Sequence, residues 1–257
     1  MYLLPSSLFS CSQLTHLTLN NGLIHPTSGF QGFDRFISLE QRNVTISSEL
    51  LGSLISHCPL LEKLVLNISK VFVSDIIDIN APKLRLFIYT GKIRSVCLTN
   101  VPLLAKECLF CDDSSMEENC FGFAKFFESC TALKGLLLVF TYPEFELAEL
   151  YIDEVAARLP SDVNSVKLFE LPFLKLVESY MLSCVLCLIR SFPFLEYLEI
   201  QVENEVDVGS TESLELEGFS DATFNHLRVV RLEHFGGTSH EMQLVRLFLA
   251  KSLYWSA

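Results

Sequence analysis

Basic residues are scarce in this sequence. Its 257 residues include 19 Lys and Arg against 31 Asp and Glu, for a formal net charge of −12. Phosphate binding depends on clusters of Lys and Arg that release counterions from the nucleic acid. Because no basic stripe is present, we expect no nucleic-acid partner.

Long apolar runs are also missing. The longest candidate, residues 181–189, falls well short of the roughly 18–20 residues that span a bilayer. The first ten residues lack the basic start and the apolar region of a secretory signal. The sequence therefore predicts no membrane association and an intracellular protein.

Signatures of catalysis are equally sparse. The sequence contains no GxSxG elbow, no phosphate-binding GxxxxGK[ST] loop and no HExxH helix. Two CxxC pairs, Cys108 with Cys111 and Cys184 with Cys187, lie too far apart for the usual zinc spacings. We expect no enzyme, no metal and no cofactor. The alternative is a cysteine-dependent enzyme or metalloprotein, which would need zinc or a thiolate of lowered pKa at Cys184 or Cys187.

What the sequence does contain is a repeat. Four segments share the pattern Cys or Phe, x, x, Leu, x, x, Leu, x, Leu or Ile, which we call the repeat frame. They are Cys11, Leu14, Leu17 and Leu19; Cys58, Leu61, Leu64 and Leu66; Cys130, Leu133, Leu136 and Leu138; and Phe192, Leu195, Leu198 and Ile200. A strand has a period of two, so the last two positions of each frame point into a core. The pattern predicts an α/β fold, a leucine-rich-repeat solenoid of irregular helix-strand repeats with a parallel sheet on its concave face.

Five weaker copies bring the candidate strands to nine. They are Phe36, Leu39 and Gln41; Leu84, Phe87 and Tyr89; Ile93, Val96 and Leu98; Val163, Val166 and Leu168; and Leu227, Val230 and Leu232. Gln41 stands where the frame expects leucine. It either has hydrogen-bond partners in the core or marks an edge of the sheet.

Helices are expected ahead of the stronger strands. Residues 47–57 place apolar side chains at helical spacing, with Ser47 as the N-cap and Pro59 after the end. Residues 122–130 and 178–192 have a similar pattern. Each repeat is thus predicted to be a helix followed by a strand.

The residues between the core positions should face outward on the concave side. At these positions the sequence places Val65, Leu86, Ile88, Leu137, Val139, Phe169 and Tyr197, among charged neighbours. An apolar strip bordered by charge is typical of a protein-binding surface. Two alternatives are open: residues 111–119 cover the strip, or the register is shifted by one residue, which would invert every face.

Acidic residues concentrate in one segment. Residues 203–221 contain seven carboxylates and no Lys or Arg. This run is either a solvated loop or a site for a basic partner.

Several segments resemble the plant F-box/FBD/LRR-repeat proteins. The resemblance lies in residues 5–19, 32–39, 57–64 and 81–84, and residues 227–232 with 237–252 resemble the start of the FBD segment of that family. It covers nearly the whole chain. It divides the chain into leucine-rich repeats at 1–202, an acidic loop at 203–222, and a partial FBD-like segment at 223–257 that continues the repeat stack.

The resemblance implies the substrate-recognition part of an SCF-type E3 ubiquitin ligase, which recruits a target protein for ubiquitination. Other subunits of such ligases transfer ubiquitin, so no catalytic residue is expected. A Skp adaptor and a cullin are implied as partners only if an F-box precedes this segment. The resemblance allows a cytoplasmic or a nuclear location. Family members carry sequence before and after the matching region, so both ends look truncated. The alternative is a stand-alone repeat protein, or a competing or non-functional fragment.

Overall fold

The computed structural model describes residues 2–3, 5–23, 30, 32–43, 46–67, 76–91, 96–112, 126–127, 130–141, 158–176, 179–203 and 224–252. In chain order its strands are β1 (Tyr2–Leu3), β2 (His16–Asn20), β3 (Gly22–Leu23), β4 (Ser38–Arg42), β5 (Lys63–Asn67), β6 (Ile77–Asn80), β7 (Leu86–Gly91), β8 (Val96–Asn100), β9 (Lys106–Asp112), β10 (Gly135–Thr141), β11 (Leu168–Leu174), β12 (Tyr197–Val202) and β13 (Val229–Glu233). Nine of them, β2, β4, β5, β7 and β9 to β13, form one parallel sheet in chain order. This confirms the predicted leucine-rich-repeat solenoid.

Every strand of the large sheet carries one copy of the repeat frame. Beyond the four strong copies, the frames are Phe33, Phe36, Leu39 and Gln41; Ala81, Leu84, Phe87 and Tyr89; Val101, Leu104, Glu107 and Leu109; Val163, Val166, Phe169 and Leu171; and Phe224, Leu227, Val230 and Leu232. In eight of the nine copies, the amide of the second position donates to the carbonyl of the first at 3.0 to 3.3 Å. The first position is therefore a turn residue, and the turn directs the chain into the strand.

Two of the weaker copies were assigned wrongly from sequence. Val163 is a turn residue, so the core positions of that copy are Phe169 and Leu171 rather than Val166 and Leu168. The 93–98 copy is not in the large sheet, because its β8 pairs with β6 in a separate two-stranded sheet. Among the nine strands of the large sheet, sequence reasoning missed β9, where Glu107 occupies a leucine position.

Three α-helices are described: α1 (Ser48–Ser56), α2 (Ser179–Arg190) and α3 (Ser239–Ser252). The predicted helices at 47–57 and 178–192 are confirmed by α1 and α2. Ser47 caps α1 as expected, since its Oγ accepts a hydrogen bond from the Leu50 amide at 3.3 Å. Of the predicted helix at 122–130, residues 126–127 are helical and most of the rest lies outside the described residues.

A helix does not precede every strand. Before the copies that begin at Ala81 and Val101, the chain instead forms the short strands β6 and β8. Their apolar side chains, such as Ile79 and Leu98, are buried in the same core as the leucines of the large sheet. Helix α1 packs against β6, and a Cβ at Gly52 would lie 3.0 Å from the Asp78 carbonyl. The prediction of one helix per repeat was therefore wrong.

Cysteine at the turn position is explained by the helix before it. The thiol of Cys58 donates to the Leu54 carbonyl at 3.1 Å, and that of Cys130 donates to the Phe126 carbonyl at 3.4 Å. Both carbonyls lie near helix ends, where the helix supplies no amide partner. Burial raises the pKa of Cys58 to about 11, so this thiol stays protonated. Cys11, in the copy of the outermost strand β2, differs from these two because it is exposed.

The C-terminal segment extends both the sheet and the core. Strand β13 pairs with β12, and Leu244, Leu247 and Phe248 of α3 join the main hydrophobic cluster. A capping box starts α3: the Glu241 carboxylate accepts from the amides of Gly237 and Thr238 at 2.6 and 3.0 Å, and the Thr238 hydroxyl accepts from the Glu241 amide at 3.4 Å. The domain boundaries stay predictions, and residues 204–222 of the acidic loop lie outside the described part.

Within the described ranges, none of the helices combines the length and the apolar character needed to cross a membrane.

Candidate protein-binding surface

The register of the large sheet aligns the outward side chains into rows. The central row comprises the residue between the two core positions of each frame: Thr18, Glu40, Val65, Ile88, Cys108, Leu137, Glu170, Glu199 and Arg231. Adjacent strands lie about 4.8 Å apart, so neighbours in this row are in contact range. Charged residues occupy both parts of the row that flank its centre.

The centre of the row is apolar over four consecutive strands. Val65, Ile88, Cys108 and Leu137 form this part, which we call the apolar strip. Leu86 flanks it on the side where the strands begin, and Phe110 and Val139 flank it on the other side. Ile88, Cys108 and Leu137 are half-buried, whereas Val65 and Val139 are only 8% and 6% exposed. The accessible part of the apolar strip therefore runs from Ile88 to Leu137.

Phe169 does not belong to this surface, so its predicted outward position was wrong. Its side chain is fully buried, at 0% exposure, and its ring packs edge-on against Phe192 with 5.3 Å between centroids. The error follows from the misassigned copy: with Val163 as the turn residue, Leu168 faces outward and Phe169 faces the core.

Tyr197 does face outward, but it lies apart from the apolar strip. Its strand, β12, is separated from Leu137 of β10 by β11. The Tyr197 hydroxyl donates to Glu199, and this hydrogen bond, together with partial burial, raises the pKa of the phenol. The structure thus brings together Val65, Leu86, Ile88, Leu137 and Val139, and leaves Tyr197 in a separate charged cluster.

The charges on the two flanks are largely paired. On the β4 side, Glu40 contacts Lys63 at 2.6 Å and Arg42 at 3.8 Å. On the β12 side, Arg231 contacts Glu199 at 3.3 Å, and its guanidinium lies 5.9 Å from the centroid of the Tyr197 ring. Exposed pairs of this kind stabilise little, and they leave little net charge unbalanced.

Glu170 is the exception among the described acidic residues of the central row. It lies directly between Leu137 and Glu199, is half-buried, and makes no hydrogen bond or ion pair within the described part of the chain. Its charge adds to the effect of burial in raising the pKa of the Cys108 thiol.

Sequence reasoning missed Glu170, Cys108 and Phe110. Frames starting at Val101 and Val163 would have identified all three.

One carboxyl group lies inside the core. Glu107 occupies a leucine position of β9 and is 1% exposed. The Cys130 thiol is 3.5 Å from its Oε1, and its Oε2 has no hydrogen-bond partner among the described residues. Burial raises the pKa of Glu107 to about 8, so the group is mainly a neutral acid at pH 7. Cys130 is buried as well, and its burial, together with the nearby Glu107, raises the pKa of its thiol.

Gln41 is also buried at a core position, at 1% exposure. Strand β4 lies between β2 and β5, so the alternative that Gln41 marks an edge of the sheet was wrong. Within the described ranges its Nε2 has no hydrogen-bond partner, and an unsatisfied buried amide costs roughly 1–3 kcal/mol.

The cysteines of α2 are packing residues in this fold. Cys184 and Cys187 are 5% and 1% exposed, so neither is accessible to a substrate. Across the part of the chain that can be described, no three His, Cys, Asp or Glu side chains are grouped to hold a metal ion.

Comparison with known proteins finds a family whose sequences match this chain. Residues 1–200 match the family model described as FBD-associated F-box protein At5g56370, LRR repeats. The chain is also 26% identical over 260 residues to the F-box/FBD/LRR-repeat protein At1g13570 of Arabidopsis thaliana. That alignment covers 96% of this chain and 60% of the relative, so the chain spans about 60% of the relative's length.

Proposed function

Because the chain belongs to the leucine-rich-repeat family of the FBD-associated F-box proteins, we propose that it holds a target protein for ubiquitination by an SCF-type ligase. The family membership confirms the resemblance to plant F-box/FBD/LRR-repeat proteins. In a ligase of this kind an F-box docks on the Skp adaptor, and the repeats bind the target. The contribution of the chain is then to position the target, and none of its residues acts as a catalyst.

The apolar strip is the observation that supports target binding. Four neighbouring strands present Val65, Ile88, Cys108 and Leu137 at outward positions, where a sheet that faces only water usually carries polar side chains. Apolar anchors surrounded by charged residues carry most of the affinity at protein interfaces. The paired charges on either side of the strip fit the rim of such an interface.

A pair of matched variants tests target binding. Leu137→Asp places a charge in the apolar strip, and Ile76→Asp makes the same chemical change at a residue that is 57% exposed just before β6, away from the strip. Proteins retained from plant extract by each purified chain are compared by mass spectrometry, after thermal unfolding shows that both variants are folded. We expect at least one protein that the parent chain and Ile76→Asp retain and Leu137→Asp loses. Equal retention by all three would contradict binding at the strip.

The ligase part of the proposal needs a separate test. Sequencing of the native transcript upstream of the Met1 codon shows whether an F-box is encoded in frame. If it is, the full product should co-purify with a Skp adaptor and a cullin. If a stop codon intervenes, the ligase assignment fails. Binding through the strip is tested separately, by Leu137→Asp and Ile76→Asp. The proposal also includes residence in the cytoplasm or nucleus, which imaging of a fluorescent fusion would test.

A further inference from the structure

We propose that the segment of the target that lies on the concave surface is extended and basic, with apolar side chains over the apolar strip and a Lys or Arg on Glu170. This inference rests on the proposed function, since it names the chemistry of the partner at the same surface. Two observations support it: the length of the accessible strip, and the lack of a hydrogen bond or ion pair to Glu170 from any described residue.

The dimensions of the central row suit an extended chain that crosses the strands. From Ile88 through Cys108 and Leu137 to Glu170 the row takes three steps between strands, or about 14 Å. An extended chain rises about 3.3 Å per residue, and alternate side chains face the same way about 6.6 Å apart. Three facing residues therefore cover this distance. The expected order is apolar, any residue, apolar, any residue, basic, in either chain direction.

The pairing of the carboxylates selects the charge of the partner. Of the three glutamates in the central row, Glu40 contacts Lys63 and Glu199 contacts both Tyr197 and Arg231. Glu170 has neither a hydrogen bond nor an ion pair among the described residues. A partner that covered Leu137 would remove water from the neighbouring Glu170, and an unpaired buried charge is unfavourable. A cation supplied by the partner removes this penalty and adds a charge-assisted hydrogen bond.

The positive charge of Lys106 is the feature of this surface that argues against a basic partner. It lies two residues before Cys108 in β9, points outward and is exposed, and it forms no ion pair within the described ranges. An exposed lysine remains hydrated beside a bound segment, whereas the half-buried Glu170 loses water. The net charge of −12 also attracts basic segments over a longer range. The balance therefore favours a basic partner.

Peptide selection on the whole 257-residue chain tests the inference. A phage library of random twelve-residue peptides is panned against the parent chain, with counter-selection on Leu137→Asp so that only binders at the strip are kept. We expect enriched peptides to carry spaced apolar residues and a Lys or Arg. For a synthetic peptide of this kind, Glu170→Gln should weaken binding at least tenfold. Glu40→Gln, which alters an acidic residue that is already paired, should change it less than twofold.

Two further measurements separate a direct contact from a general charge effect. Replacing the basic residue of the peptide by Gln should abolish the difference between the parent chain and Glu170→Gln. A selection on Glu170→Lys should enrich acidic peptides instead.

Each remaining outcome has a defined meaning. Strip-dependent peptides that are neutral or acidic on the parent chain, or that bind Glu170→Gln as well as the parent chain, would overturn this inference and leave the proposed function intact. A selection without any peptide whose binding depends on Leu137 would overturn both.

Discussion

Replacing Glu107 by leucine should make the protein more stable, although it removes a side chain that contacts Cys130. Leucine is the residue that the repeat frame has at the equivalent position of the neighbouring strand β10, namely Leu136. Glu107 is 1% exposed and its Oε2 has no partner in the part of the chain that the structure describes, so the buried carboxyl group destabilises the fold. The substitution keeps a similar side-chain volume and removes the polar group.

The magnitude follows from the raised pKa. In the unfolded chain Glu107 ionises with a pKa near 4.5, and in the folded chain with a pKa of about 8. Between these values the folded state binds more protons than the unfolded state, so the free energy of unfolding decreases as the pH rises. At about 1.4 kcal/mol per pKa unit, the loss by pH 7 is roughly 3 kcal/mol, and by pH 8.5 it is roughly 5 kcal/mol.

Urea unfolding at pH 5, 7 and 8.5 measures this dependence. We expect the gain from Glu107→Leu to be about 1–2 kcal/mol at pH 5, where the carboxyl group of the folded chain is still neutral, and to grow by roughly 4 kcal/mol at pH 8.5. Glu107→Gln, which stays polar but does not ionise, should lose the same pH dependence with a smaller gain. Glu62→Leu is the matched control, because it makes the same chemical change at a carboxylate that is 51% exposed.

A gain that is the same at all three pH values would refute the reasoning, since it would mean that Glu107 is not a buried ionisable group. Destabilisation by Glu107→Leu at pH 7 would refute it as well.

Three further substitutions test the packing of individual repeats. Gly32→Ala should destabilise the protein by more than about 2 kcal/mol, because φ is +99° and the new Cβ would lie 2.0 Å from the His57 carbonyl oxygen. Gly237→Ala is the control: φ is +91° and nothing lies within 4 Å of the new Cβ, so it should cost only about 1 kcal/mol. Equal effects of the two substitutions in thermal unfolding would mean that the contact with His57 is unimportant. Ser47→Ala should cost about 1 kcal/mol through loss of the cap of α1, and a change under 0.3 kcal/mol in urea unfolding would contradict the cap. Gln41→Leu should stabilise by about 1–2 kcal/mol at every pH, whereas a loss of stability would indicate that the buried amide has a partner.

Much of the fold follows from local pattern. The strong frames contain a turn residue and three apolar positions at fixed spacing, so the alternation of side chains alone assigns their strands and faces. The cap at Ser47 is likewise a local signal, and it starts α1 as predicted.

The errors arose where a tertiary environment overrides this pattern. Glu107 is tolerated at a core position, which hides β9 from a search for leucines, and with it Cys108 and Phe110. A turn residue such as Val163 cannot be told from a strand residue by hydrophobicity alone, and this displaced Phe169 to the wrong face. The replacement of helices by β6 and β8 depends on their pairing with each other, a non-local contact that no single segment encodes.

Part of the candidate surface was also predictable from the local sequence pattern. Leu86, Ile88 and Leu137 lie beside clear frames, and the structure brings them together. The role proposed for Glu170 depends on the finding that Glu40 and Glu199 are paired. The spacing of residues in the sequence does not reveal which side chains form such pairs.

Photo-crosslinking from the centre of the apolar strip tests the central claim most directly. A benzoylphenylalanine is placed at Ile88 in one chain and at Ile76 in another, and each is irradiated in plant extract. If the concave surface holds a target, the chain labelled at residue 88 will form a covalent adduct with a discrete protein, and the chain labelled at residue 76 will not form that adduct. Adducts with the same protein at both positions, or at residue 76 alone, would contradict the account.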